Sequence, residues 1–410
     1  MRYLIVLTLF ACGGSSPRPS KPADRSSSSG SPSTQTAQQP AAPRSYPAPP
    51  SEPAPTGTWR VTLEFPRLQG KPAGIVADAS GVYLAGAVVS ADDVRMRRWA
   101  AVKLDGNGAV AWSNVTELPR SPAPERIVLA DSALVIGGQD DSHEAVRLLM
   151  IERRDAKSGK QTWQRRFTAR DPKCVTAGCA SKDTFGGITV HGGSVLYYAT
   201  VDRPVESAPG ELSLAKGEPP KTSSPTRSDL RASDIARDDT GLYLLDANLS
   251  NVYSLSKKAE GKQAWQHKLD SDLTRVIASA SGLVLWGTTI QKRAADTGEV
   301  MWTSPLGGQH IDVAVDAAAI YATLMIDAKP ASYFAIAKID PATGAVQWVR
   351  KTSDYSENRP SAYIAVDNDW IYLFGYDAEK WFVERRRKSD GALGEVTATA
   401  RVIESVGKRK

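Results

Sequence analysis

Short runs of apolar and β-branched residues alternate with tight polar turns along this chain, and the arrangement returns seven times. The copies read AGIVADASGVYLAG (73–86), ERIVLADSALVIGG (125–138), GITVHGGSVLYYA (187–199), SDIARDDTGLYLLD (233–246), RVIASASGLVLWG (275–287), DVAVDAAAIYATL (312–324) and YIAVDNDWIYLFG (363–375). Each predicts a strand, a turn of Asp, Ser, Gly or Asn chemistry, and a second strand rich in Val, Leu and Tyr. Aligning Gly81, Ala133, Ser194, Gly241, Gly282, Ala319 and Trp370 gives spacings of 52, 61, 47, 41, 37 and 51 residues. Repeats of that period with several short strands each are propeller repeats, because one unit cannot bury its faces alone. No segment carries the 3.6-residue periodicity of a long helix.

A second signal runs in phase with the first. Five times a glycine is followed four residues later by tryptophan: Gly108/Trp112, Gly159/Trp163, Gly261/Trp265, Gly298/Trp302 and Gly344/Trp348. The first copy shows the whole unit: strand a at 74–77, strand b at 82–86, strand c at 98–104, a turn at 105–108 and strand d at 109–115. The c–d turns share Asp and Gly, which bond back to local backbone and accept positive φ. Trp59, Trp112, Trp163, Trp265, Trp302 and Trp348 are therefore expected to pack between blades; stacking on a ligand is the rival role. The third unit has no such tryptophan, and its stretch 202–230 is rich in Pro, Ser and Lys and reads as a long b–c segment.

The runs DPATGAVQW (340–348), DAKSGKQTW (155–163) and ADTGEVMW (295–302) resemble the pyrroloquinoline-quinone-like (PQQ-like) repeat propellers. The resemblance covers roughly residues 59–402 and implies an all-β propeller of four-stranded antiparallel blades. It is weak for function, since such repeats serve enzymes, assembly factors and scaffolds alike. The family includes an eight-bladed outer-membrane assembly lipoprotein, whereas seven units are legible here and an eighth, degenerate one is the alternative. Residues 58–63 read as an additional strand d that would complete the last blade, and the C-terminal strand at 395–402 competes for that closing position.

The two ends read differently. Arg2 precedes a short apolar run, Tyr3 to Ala11, too brief to span a bilayer. Leu9-Phe10-Ala11-Cys12 resembles the lipobox of bacterial lipoproteins, which implies a signal peptide at 1–11 and acylation of Cys12. Residues 13–57 hold eleven serines and eleven prolines, the composition of a disordered tether. The propeller is expected over 58–405, followed by a basic tail at 406–410.

The net charge of +6 over 410 residues brings no aromatic-interleaved basic tract or zinc spacing, so no nucleic acid is expected as partner. Cys174 and Cys179 are candidates for a disulfide closing a small loop, with two free thiols as the alternative. The basic residues ending strand c (Lys103, Arg153/Arg154, Lys257/Lys258, Arg293, Lys338 and Arg386–Lys388) would form a loose positive ring if exposed. His143, His191, His267 and His310 are scattered, and no calcium-type constellation, phosphate loop or nucleophile elbow is found. Catalytic, cofactor and metal residues are therefore none. The reading is a membrane-tethered, non-catalytic scaffold of the outer membrane that binds envelope proteins through the face bearing its long loops, chiefly at blades 2 and 3. The alternative is a periplasmic quinone-dependent or carbohydrate-active enzyme with a central pocket.

Overall fold

The computed structural model describes residues 47–50, 56–65, 68–90, 97–116, 122–143, 146–169, 183–201, 205–219, 230–248, 250–270, 272–327, 332–354, 362–377, 380–394 and 399–402. All lie in one compact unit, Ser45–Lys410. Among them there is no helix, only strands in seven sheets.

Each sheet is one blade, and in all but the last its strands follow chain order outward from the axis. Strand β1 (Trp59–Glu64) precedes blade 1, which is β2 (Leu68–Asp78), β3 (Gly81–Ser90), β4 (Arg97–Leu104) and β5 (Val110–Thr116). Blade 2 is β6 (Pro122–Ala130), β7 (Ala133–His143), β8 (Val146–Asp155) and β9 (Gln161–Phe167). Blade 3 has three described strands, β10 (Thr184–His191), β11 (Ser194–Val201) and β12 (Glu206–Ser213). Blade 4 is β13 (Arg231–Asp238), β14 (Gly241–Ala247), β15 (Tyr253–Ala259) and β16 (Lys262–Lys268). Blade 5 is β17 (Leu273–Ser279), β18 (Gly282–Gly287), β19 (Ile290–Arg293) and β20 (Val300–Thr303). Blade 6 is β21 (Gln309–Val315), β22 (Ile320–Ile326), β23 (Tyr333–Ile339) and β24 (Val346–Asp354). Blade 7 is β25 (Tyr363–Val366), β26 (Trp370–Asp377) and β27 (Lys380–Arg387), completed by β1 and flanked by β28 (Thr399–Val402).

The architecture is a seven-bladed β-propeller, and the described residues form no eighth blade. The two candidates for the closing strand do not exclude each other. β1 pairs antiparallel with β27, Val61 opposite Val383, and closes the ring. β28 then pairs parallel on the outside of β1, Val61 opposite Thr399, as a fifth strand. The stretch 202–230 is not one loop either. It contains β12, and its turn glycine Gly217 lies under the Trp163 ring as its counterparts do under theirs.

Seven buried apolar clusters fill the seven junctions between blades. The one at blades 7 and 1 gathers Trp59, Leu63, Val82, Leu84, Phe374 and Trp381 among others. Alternation dictates this: residues on one parity of a strand face one neighbouring blade, and those on the other parity face the opposite neighbour.

The tryptophans finish the junctions. Nε1 of Trp59, Trp112, Trp163 and Trp302 donates to the carbonyls of Gly106, Ala156, Leu214 and Pro341 in the next blade's c–d turn, at 3.0, 3.1, 2.9 and 3.2 Å. Each indole lies flat over that turn's glycine, so closely that a Cβ on Gly344 would stand 2.6 Å from the Trp302 ring. At Gly298 the His267 ring stands closer than Trp265, and at Gly391 only the far edge of the Trp348 ring makes contact, so there neighbours make the polar link. His267 Nε2 lies 2.8 Å from Thr297 O, and Arg350 Nε donates to Asp390 O at 2.6 Å. The glycine and the tryptophan of one repeat therefore serve different junctions: the glycine receives the preceding blade, and the tryptophan reaches the following one.

Trp302→Ala should lower the unfolding free energy by about 3–5 kcal/mol in urea titrations, as for other large aromatic truncations. Gly344 and Gly261 have nearly equal left-handed φ, 74° and 76°, where a side chain costs about 1–2 kcal/mol. Only Gly344 lies under an indole, while nothing stands within 4 Å of a Cβ on Gly261. Gly344→Ala should therefore be the more damaging by at least about 1 kcal/mol; equal losses would mean that the indole contact contributes nothing.

Candidate functional site

The strand order divides the molecule into two unlike faces. The a–b and c–d turns emerge together on one face, called narrow for its short turns, as at 79–80, 131–132 and 239–240. The b–c and d–a connections emerge on the opposite face, called wide for its long connections. They include 91–96, 117–121, 168–183, 327–332 and 355–362, so the long connections collect there. Cys174 and Cys179 belong to the 168–183 connection and, like Cys12, lie outside the described residues.

Half of the cations that would make a positive ring on the narrow face are consumed inside the fold, while Arg153, Lys258, Lys338, Arg387 and Lys388 stay partly exposed. Lys103, Arg154, Lys257, Arg293 and Arg386 are all buried. Lys103 Nζ donates to Ser80 Oγ at 2.9 Å and stands over the Tyr83 ring. Lys257 Nζ donates to Thr240 Oγ1 and, across the junction, to Ala295 O, both at 2.9 Å. Arg154, Arg293 and Arg386 each hold the side chain two residues earlier, Glu152, Gln291 or Glu384, at 2.7, 2.7 and 2.8 Å. Each also donates Nη1 to the carbonyl of its own turn glycine, Gly159, Gly298 or Gly391. The recurring signal was present in the sequence as Glu/Gln-x-Arg ending strand c.

A second recurring device is Asp-x4-Tyr. The Asp78, Asp238 and Asp367 carboxylates cap their a–b turns through backbone N–H groups and accept Tyr83, Tyr243 and Tyr372 hydroxyls at 3.1, 2.9 and 2.8 Å. Burial and the Asp238 charge push the Tyr243 phenol up to about 12. Many polar groups of the narrow face are thus partnered within the fold.

A channel of about 560 Å³ runs along the axis, lined by the innermost strand of every blade. Six of these strands carry a β-bulge at the same place, which brings Gly74, Arg126, Gly187, Asp234, Arg275 and Asp312 to equivalent positions. Tyr363 takes that position in blade 7. Asp234 Oδ2 accepts the Val276 N–H of the next blade at 3.0 Å, and Asp312 Oδ2 accepts that of Ile364 at 3.0 Å. Both aspartates clamp successive inner strands together. Burial pushes each carboxyl up to about 6, against the pull of the backbone donors and Arg126. Asp312 touches solvent more than Asp234 does, yet the packed strands around it desolvate it equally, and that surrounding protein density governs its acidity.

Among the described residues no three His, Cys, Asp or Glu side chains are placed to hold a metal ion. The histidines stay apart. His191 Nε2 is 3.5 Å from Asp239, His267 is at the junction of blades 4 and 5, and the His143 side chain lies outside the described residues. His310 is buried with Nδ1 3.1 Å from Gly287 O, and burial pushes it down to about 4, so it stays neutral.

The two channel aspartates give a signed pH dependence. A carboxyl raised from 3.8 to about 6 favours the folded state below pH 4, and that contribution is lost as pH rises through about 6. Asp234→Asn keeps an acceptor for Val276 N–H and removes the buried charge. It should raise stability at pH 7.5 by about 1–3 kcal/mol and leave it nearly unchanged at pH 4, read as melting temperature across that range. A variant that is less stable than the parent at pH 7.5 would overturn this.

A family profile described as outer membrane protein assembly factor BamB matches residues 249–387. Among solved structures, BamB from Moraxella catarrhalis aligns at 14% identity over 80% of this chain and 98% of its own, with a TM-score of 0.42. The RRP9 WD40 repeats align at 8% identity over 83% and 99%, with a TM-score of 0.51. Quinohemoprotein alcohol dehydrogenase from Comamonas testosteroni aligns at 11% identity over 84% and 69%, with a TM-score of 0.49. No curated protein matches the sequence. The chain is a seven-bladed β-propeller whose residues 249–387 are similar to the PQQ-like repeats of the outer-membrane assembly factor family.

Proposed function

We infer that this chain is a non-catalytic scaffold, tethered by its N-terminus to the outer membrane of a bacterial envelope, which holds envelope proteins against its wide face. The observation that carries the reading is the division of the faces: long connections gather on one side of a rigid ring, and many polar side chains of the other are partnered within the fold. Loops displayed on a rigid scaffold are where recognition usually resides. The likeness to an outer-membrane assembly factor profile supports an envelope setting. The Leu9–Cys12 run supports a lipid anchor, since two or more acyl chains are enough for stable attachment.

Within the wide face, the 168–183 connection between blades 2 and 3 is the longest that bears cysteines, and a Cys174–Cys179 bridge would stiffen it. It is the main contact in this reading.

A photo-crosslinking residue at exposed Asp272 or Asp327 on the wide face should capture envelope proteins in native membranes, and one at exposed Asn107 or Lys157 on the narrow face should not. Replacing residues 170–182 by a short Gly-Ser linker should lower capture about tenfold with the melting temperature retained, a loss of about 1.4 kcal/mol. Equal capture from both faces would overturn the assignment of the face. Cys12→Ser should move the protein from the membrane to the soluble fraction; retention in the membrane would overturn the anchor alone.

A further inference from the structure

The axial channel holds donors without acceptors. Arg126, Arg237, Arg275 and Tyr363 all line it and all are half-buried. Arg237 Nε is shut off from solvent and has no hydrogen-bond partner. Arg275 and the Tyr363 hydroxyl have none among the described residues either. Arg126 Nη1 donates only to the carbonyl of its chain neighbour Glu125. The carboxylates of the channel are already engaged, since Asp234 and Asp312 hold the N–H groups of Val276 and Ile364. What the lumen offers a ligand is therefore hydrogen-bond donors and positive charge.

The donors stand at two levels. Arg126, Arg275 and Tyr363 share the bulge level, toward the wide side. The Arg126 charge acts on Asp234, Asp312 and Tyr363, in blades 4, 6 and 7. None of those blades neighbours blade 2, so the guanidinium projects across the lumen. Arg237 lies three residues beyond the bulge position of blade 4, beside the a–b turn, a step of about 10 Å along the strand. In the other six blades that place is held by Ala77, Leu129, Val190, Ala278, Val315 and Val366. Arg237 is thus a single cation in an otherwise apolar mouth.

Between the two levels the wall is apolar, with Val76, Val128, Ile277 and Ala365 along it. An apolar sleeve with a few convergent polar groups is the usual form of a small-molecule site. A guanidinium takes a carboxylate through two parallel hydrogen bonds, and a half-buried one has already lost part of its hydration, so it gains more from such a partner. Asp234 and Asp312 oppose an anion at the wide-side level, where their two charges balance those of Arg126 and Arg275. Arg237 has no acid of that kind at its own level.

We propose that the channel binds a linear organic dianion lengthwise, one acid group on Arg126, Arg275 and the Tyr363 hydroxyl, the other on Arg237, with an alkyl chain along the apolar wall between them. Extended octanedioate has about the length of that 10 Å step. This site is separate from the wide-face connections, so either can fail without the other.

The test is isothermal titration of the purified full-length protein with octanedioate, octanoate and butanedioate at pH 7.5. Octanedioate should bind at least about tenfold more tightly than either of the others, because only it reaches both levels. Arg237→Gln should bring octanedioate down to the affinity of octanoate, and Arg126→Gln should weaken it by about tenfold. Asp234→Asn should tighten it by removing an opposing charge, an effect that a purely structural role for these residues would not produce. Lys157→Gln, at an exposed site on the narrow face, should change nothing. Equal affinity for octanedioate and octanoate in the unaltered protein would overturn the proposal, as would full affinity retained in both arginine variants. If those variants fail to fold, dioates of four, eight and twelve carbons on the unaltered protein decide. An optimum at eight supports the site, and an affinity that climbs steadily with length, or no binding at all, overturns it.

Discussion

An indole laid on the backbone of the neighbouring blade is the contact on which the ring depends. Blades are sheets with two apolar faces, and any two could slide against each other while keeping apolar area buried. The tryptophan removes that freedom. At four junctions its ring rests on a glycine and its N–H on a carbonyl at the rim of the same turn, so angle and depth are set together. Where a repeat carries both the glycine and the tryptophan, the two face opposite ways and fix that blade against each of its neighbours. β1 extends the rule across the chain ends by bringing Trp59 to Gly106, so the last junction is made as the internal ones are.

Charge in this protein is mostly structural. The lysines and arginines ending strand c bridge turns, carbonyls and aromatic faces, and the aspartates cap the turns beside them. Burying so many ionised groups is costly unless each has several partners, and the repeat supplies those partners at fixed spacing. A strongly polar surface on the narrow side is thereby turned into a lattice of internal bonds. On the wide side, connection length is not constrained by hairpin geometry.

Much of this was legible in the sequence. The seven strand–turn–strand copies gave the seven blades because alternation and turn chemistry are local properties. The Gly-x3-Trp spacing pointed to blade packing, yet not to the fact that Gly344 serves Trp302 rather than Trp348, since that pairing is made between repeats. Exposure of the basic residues was misjudged because a lysine at a strand end looks solvated until Tyr83 and Ser80 are seen beneath it. Gly217 was overlooked because no tryptophan follows it, although its partner is Trp163, fifty-odd residues earlier. The channel aspartates were invisible for a related reason: Asp234 and Asp312 are ordinary turn-forming residues in the sequence, and only the bulged inner strands bring them into one ring.

The placement of β1 also has a mechanical meaning. It lies between β27, antiparallel to it, and β28, parallel to it, and it is the strand that leads toward the N-terminus. Before it, the Pro47 carbonyl accepts the Val349 N–H on the outer strand of blade 6. A pull along β1 from its N-terminal side would load the bonds to both flanking strands in shear, all at once, rather than peel them singly. The strand that completes the circle is also the one through which any tension on the leading segment enters the domain, and it is gripped on both edges.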